Sequence, residues 1–249
     1  MAHPQQLDFL NQLSILLFKE RKPSEINILE IGSYEVNASI RDIFKGSNYF
    51  GIDLLNGPGV DLVMNGENIN NLNKKFDVII SSECFEHAVN WKEIFKAMID
   101  CIKDDGYVIM TCASKGRTEH GTKRADFYDS IMHNYEVKSS PGTEDEYYKN
   151  LNKKDFYKNF DISKIFKKYF FFYNIHSFDL YFAGQKKNIS NSKLIDNLRQ
   201  KVMYNNRGKP SFQSLKRYIL HSLLPEKICN DLHFRNLERK LKDKMSINV

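Results

Sequence analysis

Ile28-Leu29-Glu30-Ile31-Gly32, followed by Tyr49-Phe50-Gly51-Ile52-Asp53, is the stretch whose reading decides the fold. A strand ending in an acid and a glycine, a helical connector, and a second strand capped by a carboxylate about 20 residues on is how a doubly wound α/β sheet holds the ribose of a nucleoside cofactor. The turn between them, Gly32-Ser33-Tyr34-Glu35-Val36-Asn37, has a single glycine. A dinucleotide cofactor wants three there, so that backbone can approach the pyrophosphate, and a pyrophosphate is therefore a poor fit. S-adenosylmethionine suits the pattern better, because it carries adenosine without phosphate and an α-ammonium that Glu30 can serve. Asp53, with Leu54 behind it, is expected at the ribose hydroxyls, Gly32, Ser33 and Asn37 around the cofactor, and Asn65 at the adenine.

Outward from this pair, strands alternate with helices. Gln5 to Glu20 has apolar residues at helical spacing, and helices are expected at Val36 to Phe44 and Trp91 to Ile102. Short β-branched or aromatic runs mark strands at Ile26 to Gly32, Asn48 to Asp53, Val60 to Met64, Phe76 to Ser81 and Tyr107 to Ala113, with Asp104-Asp105-Gly106 as the turn into the fifth. Tyr169 to Phe178 and Asp179 to Gln185 lie close enough to form an antiparallel pair at one edge. The expected fold is a Rossmann-like, doubly wound seven-stranded sheet, mainly parallel with an antiparallel edge strand, plus a C-terminal helical extension. Between the fifth strand and the last pair, Ser114 to Lys149 lacks periodicity, and a loop of that length inside a domain is usually functional.

Charge divides the chain. From Lys186 onward there are fifteen Lys and Arg against five Asp and Glu, a surplus of ten in a chain of net charge +6, which leaves −4 for the rest. The boundary predicts a catalytic domain over 1–187 and a basic helical extension over 188–249. Its three apolar stripes, Leu194-Leu198-Val202, Phe212-Leu215-Ile219-Leu223 and Phe234-Leu237-Leu241-Met245, suit packing on the core or in a homodimer better than contact with anionic lipid or nucleic acid. The N-terminal residues lack a basic leader, and no apolar run approaches the roughly 18 residues of a membrane span, so a cytoplasmic protein is expected. Cys84, Cys101, Cys112 and Cys229 show no paired spacing and are read as reduced thiols.

The region from Ile26 to Lys187 resembles the class I S-adenosylmethionine-dependent methyltransferases, in particular the bacterial set often labelled type 11. The resemblance rests on Ile28 to Gly32, on Gly51-Ile52-Asp53, on Phe76-Asp77-Val78-Ile79-Ile80-Ser81-Ser82-Glu83-Cys84-Phe85-Glu86-His87, and on Asp105-Gly106-Tyr107-Val108-Ile109-Met110. The third stretch matches a Glu-any-aromatic-Glu-His pattern that faces the sulfonium in the family. Tyr34 and Val36 or their neighbours stand where the family has further glycines. Thr111 to Arg124 also resembles a loop in methyltransferases that accompany bacterial surface-polysaccharide genes. That likeness implies a role in capsule biosynthesis, such as O-methylation of a capsule phosphoramidate group.

Methyl transfer from a sulfonium is an in-line displacement, for which the protein aligns the acceptor and, for a hydroxyl, removes a proton. Loops at the carboxyl ends of the strands line the crevice, which brings Glu83, Glu86, His87 and His120 into reach. His120 is expected to be the base; His87 competes for that role or helps start a helix, and Glu83 serves cofactor or acceptor. Lys115, Arg117, Lys123 and Arg124 around His120 suit an anionic or phosphate-bearing acceptor, unless they form a solvated basic surface, and Phe127, Tyr128, Tyr147 and Tyr148 are candidate walls of its pocket, unless they pack in the core. No metal is expected, since the sequence shows no ligand spacing of a hard-cation site. The leading reading is a small-molecule O-methyltransferase. An RNA-binding methyltransferase or a catalytically silent module using the basic tail is the alternative, and a dinucleotide-dependent oxidoreductase is disfavoured by the single glycine.

Overall fold

The computed structural model describes residues 4–35, 39–122, 125, 147–186 and 193–246. Seven strands form one sheet in the order β3-β2-β1-β4-β5-β7-β6. They are β1 (Asn27–Ile31), β2 (Asn48–Asp53), β3 (Leu62–Val63), β4 (Phe76–Ser82), β5 (Ile102–Ala113), β6 (Lys168–Asn174) and β7 (Asp179–Gln185). The pairs from β3 across to β5 are all parallel. β7 runs antiparallel to β5 on one side and to β6 on the other, so the reversed strand lies one place in from the edge.

Alternation along the central strands sends side chains into two separate cores, as expected of a sheet covered on both faces. Leu29, Ile79, Val108 and Met110 join the first core, packed under α2 (Trp91–Cys101) with Trp91, Ile94, Phe95 and Met98. These four helix residues recur at three- and four-residue spacing, the stripe that one helix face can bury. α3 (Lys153–Asn159) and α4 (Ile162–Ile165) add Phe156 and Ile162 to the same side. Ile28, Val78, Ile80 and Ile109 point the other way, into a core closed by Phe9, Leu10, Leu13 and Leu17 of α1 (Pro4–Glu20).

The second core contains a part of the basic tail. Leu194, Ile195, Leu198 and Val202 of α5 (Leu194–Asn205) are buried against it beside α1. The expected helix over Val36 to Phe44 is corrected: residues 36–38 lie outside the described part, and a single 3-10 turn, Arg41–Phe44, follows. α1 and α5 cover that face, and Ile40 and Phe44 of the connector's described part join them in the core, with Ile43 packed against it. The expected strand Val60 to Met64 shortens to Leu62–Val63, an exposed edge pairing only with Ile52 and Asp53. Asp104-Asp105-Gly106 lies within a bulge of β5, where Phe76 pairs with Ile102 and Val78 with Tyr107.

α6 (Phe212–Leu223) and α7 (Glu226–Ser246) complete the tail. α6 leaves Phe212, Leu215, Ile219, Leu220 and Leu223 exposed. No described helix is long and apolar enough to cross a membrane, and all four cysteines are free.

Candidate active site

Gly32 ends β1 at φ +81°, a left-handed conformation that favours glycine. A Cβ there would lie 2.9 Å from the Cβ of Cys84, so the turn after β1 and the turn after β4 are in close contact. Glu30, just before it, is buried and accepts a hydrogen bond from the Tyr49 hydroxyl at 2.8 Å. Burial pushes its carboxyl up to about 8, against the lowering effect of that hydroxyl and of Arg41. Asp53 at the end of β2 accepts from the amides of Tyr34 at 3.1 Å and Leu55 at 3.3 Å, which ties the two turns together. Burial raises its pKa and these amides work against the rise. Two amides leave a carboxylate with lone pairs for further donors.

Ser33 is buried beside Gly51, and its Oγ has no hydrogen-bond partner. Leu54 follows Asp53 directly, while Asn37 lies outside the described residues. Asn65 caps the 3-10 helix Gly66–Leu72 by accepting from the Glu67 amide. Asn90 donates to Glu67, which joins this turn to the start of α2.

After β4 the backbone enters a left-handed conformation at Glu83, φ +53°, where a non-glycine residue costs about 1–2 kcal/mol. The chain then makes a 3-10 turn, Phe85–His87, so that Glu83, Glu86 and His87 leave the strand end within five residues. His120 meets them from the loop after β5: its Nε2 lies 3.3 Å from Glu83 Oε2 and 3.9 Å from Glu86 Oε1. The other ring nitrogen, Nδ1, is 3.1 Å from both the Thr118 carbonyl and the Tyr148 hydroxyl. The His87 ring packs edge-on against His120 and Tyr148, with centroids 5.4 and 5.3 Å away.

Both carboxylates are buried, with different consequences. Burial works against the Glu83 anion, but the hydrogen bond and charge of His120 outweigh it and hold this carboxyl below the usual range. Burial and then the charge of Glu83 push Glu86 well above that range, so the negative charge of the pair rests on Glu83. Burial, followed by the charge of His120, lowers His87 to about 3. Glu86 Oε1 accepts from the Ala113 amide at 2.9 Å, and Gln6 of α1 donates to Glu83 Oε1.

Two residues at this site, Gln6 and Asp179, escaped the sequence reading. Gln6 comes from α1, ahead of the first strand, while Tyr148, expected among the aromatics of the acceptor pocket, meets His120 from the end of the long loop. Asp179 starts β7 opposite Ala113, because an antiparallel strand begins where its parallel neighbours end. Burial, then the charge of Glu83, raises it to about 8. Of the expected acceptor residues, Lys115 gives its carbonyl to the Tyr173 hydroxyl, and Arg117 donates to the Ser177 carbonyl at 3.2 Å. Lys123, Arg124, Phe127 and Tyr128 lie outside the described residues. Arg217 of α6 reaches the loop instead, donating to Thr118 Oγ1 at 2.6 Å, and Asn230 and Glu226 of α7 accept from the amides of Glu119 and Asn150.

No curated protein sequence matches the chain. Among solved structures, it is similar to the CurJ carbon methyltransferase, at 14% identity over 71% of this chain and 54% of that one, with a TM-score of 0.46. A S-adenosylmethionine-dependent methyltransferase from Clostridium acetobutylicum gives 14% identity over 72% and 92%, with a TM-score of 0.46. The N-methyltransferase NodS from Bradyrhizobium japonicum gives 11% over 75% and 99%, with a TM-score of 0.45. The chain thus spans about half of the first of these and nearly all of the last. Residues 4–138, more than half of its length, match the family described as a methyltransferase domain, and the chain belongs to that family.

Proposed function

We propose that this chain binds S-adenosylmethionine across the ends of β1 and β2 and methylates an oxygen of a small, phosphate-bearing acceptor. The observation that carries this reading is the contact between Gly32 and Cys84, which sets the cofactor turn directly beside the Glu83, Glu86, His87 and His120 cluster. Glu30 suits the α-ammonium, since a cation there stabilises a carboxylate that burial otherwise disfavours. Asp53 keeps lone pairs for the ribose hydroxyls, and Gly32, Ser33, Leu54, Asn37 and Asn65 complete the cofactor set. Bound there, the cofactor supplies a methyl group on a sulfonium.

The chain's own work is to position the acceptor and receive its proton. The Glu83–His120 pair is the place for that proton, with the Thr118 carbonyl and Tyr148 holding the ring. Lys115, Arg117, Lys123 and Arg124, with Tyr128 at the wall, recommend an anionic acceptor. Arg217 adds a guanidinium from the tail. The likeness of Thr111 to Arg124 to loops of surface-polysaccharide methyltransferases supports a capsule-type acceptor such as a phosphoramidate. The reading takes 1–187 as the catalytic domain and 188–249 as an extension that braces the acceptor loop, with the exposed α6 stripe as the surface for a homodimer. Transfer of a labelled methyl group to phosphorylated sugars and nucleotide-linked sugars tests it; neutral acceptors alone being methylated would count against it.

A further inference from the structure

The cluster at the end of β4 gathers two buried carboxylates, Glu83 and Glu86, and two imidazoles, His87 and His120. The Thr118 carbonyl can only accept, so the contact of His120 Nδ1 with it places a proton on Nδ1, and Nε2 is the nitrogen that a metal ion would take in exchange for its proton. Nε2 is buried and faces the Glu83 and Glu86 carboxylates at 3.3 and 3.9 Å. Glu86 is fully buried, and its Oε2 has no hydrogen-bond partner. One ligand atom each from Glu86, His87 and His120 lie within 4.8 Å of one another. Atoms bound to one ion at about 2.1 Å stand roughly 3 to 4 Å apart, so a small contraction closes the set.

We propose that Glu86, His87 and His120, with Glu83 as a fourth ligand, form a binding site for a divalent transition-metal ion. Two imidazoles beside two carboxylates suit manganese, cobalt, iron or zinc better than magnesium or calcium, which favour all-oxygen shells. The ligands are already oriented from behind: Ala113 N–H holds Glu86 Oε1, Gln6 holds Glu83 Oε1, and the Thr118 carbonyl holds His120 Nδ1. Such outer contacts fix a ligand's direction and tautomer. In the loaded protein, His120 is a ligand and not a free base. Where the inference leans on the methyl-transfer reading is in its use: an oxygen of the acceptor would fill an open position of the ion beside the cofactor turn.

The test titrates tag-free, metal-stripped full-length protein with cobalt(II) and manganese(II) alone, reading heat and, for cobalt, visible absorption. The expected result is one ion per chain with absorption bands of a nitrogen- and oxygen-bound ion. Affinity should fall roughly 10- to 100-fold in Glu86→Gln and His87→Ala, and stay unchanged in His176→Ala, an exposed ring whose Nε2 meets the Gly208 carbonyl. Should His87→Ala fail to fold by circular dichroism, Glu86→Gln carries the comparison. No saturable binding, or binding that the folded variants retain, overturns the site. S-adenosylhomocysteine titrated into the same metal-stripped protein separates the two ideas. Its binding without any metal binding removes only the metal site, and metal binding without it removes only the methyl-transfer reading.

Discussion

His120 Nε2 lies 3.3 Å from Glu83 Oε2, a contact between the loop after β5 and the left-handed turn that ends β4. Removing the ring takes away an imidazole that touches Glu83 and lies 3.9 Å from Glu86 Oε1. His120→Ala is expected to lower turnover on an accepted substrate roughly 10²-fold or more. S-adenosylhomocysteine affinity should stay at the wild-type level, because the ring makes no contact with the Gly32 or Asp53 turns. Unchanged turnover would remove His120 from the chemistry.

Asp53 joins the two turns of the cofactor side through the amides of Tyr34 and Leu55. Asp53→Ala should weaken S-adenosylhomocysteine several-fold or more, as lost hydrogen bonds to a charged group are worth about 1.5–3 kcal/mol each. Calorimetry reads this directly, and wild-type affinity in the variant would rule out the ribose contact.

Glu30 couples pH to both stability and cofactor binding. Its pKa rises from 4.5 to about 8 on folding, so between these values the unfolded chain ionises while the folded one stays protonated. The folded state holds the extra proton there, and stability falls as pH rises through that window. Glu30→Gln should flatten the decline in a denaturant series. A cofactor ammonium favours the ionised form, so wild-type affinity should climb from about pH 6 to about pH 8 with proton release, and the variant should lose that slope. A flat wild-type profile would exclude Glu30 as the ammonium partner.

Asp77 sits at the opposite end of β4, paired with Arg21 at 2.6 Å and Lys103 at 2.9 Å and accepting from the Asn27 amide. Asp77→Ala leaves that amide without its acceptor and should cost about 1–3 kcal/mol in urea unfolding. Affinity for S-adenosylhomocysteine in the folded fraction should be unchanged, since the residue is remote from the carboxyl ends of the strands. A loss of affinity at unchanged stability would mean that the two ends of β4 are coupled.

Much of this architecture is legible in the sequence because each central strand writes both faces of the sheet. Ile28 and Leu29 enter different cores, as do Val78 and Ile79, and only a strand covered on both sides tolerates such continuous apolar runs. The Glu83-x-x-Glu86-His87 motif could be placed at a strand end for the same reason. What could not be read is which distant segment fills a given place. Leu194, Leu198 and Val202 announce a helix by their spacing, but nothing local says that they cover the face beside α1. Gln6 and Asp179 escaped because each reaches the site through the fold and not through a motif. The two carboxylates that face His120 Nε2 are not legible as its partners from spacing, since the end of β5 brings His120 to them.

The most direct measurement is calorimetric titration of the full chain with S-adenosylhomocysteine, with the oxidised nicotinamide dinucleotide as control. Micromolar, one-to-one binding of the first and none of the second is the expected result. Binding of the dinucleotide, or of neither compound, would contradict a S-adenosylmethionine-dependent methyltransferase built around Glu30, Gly32 and Asp53.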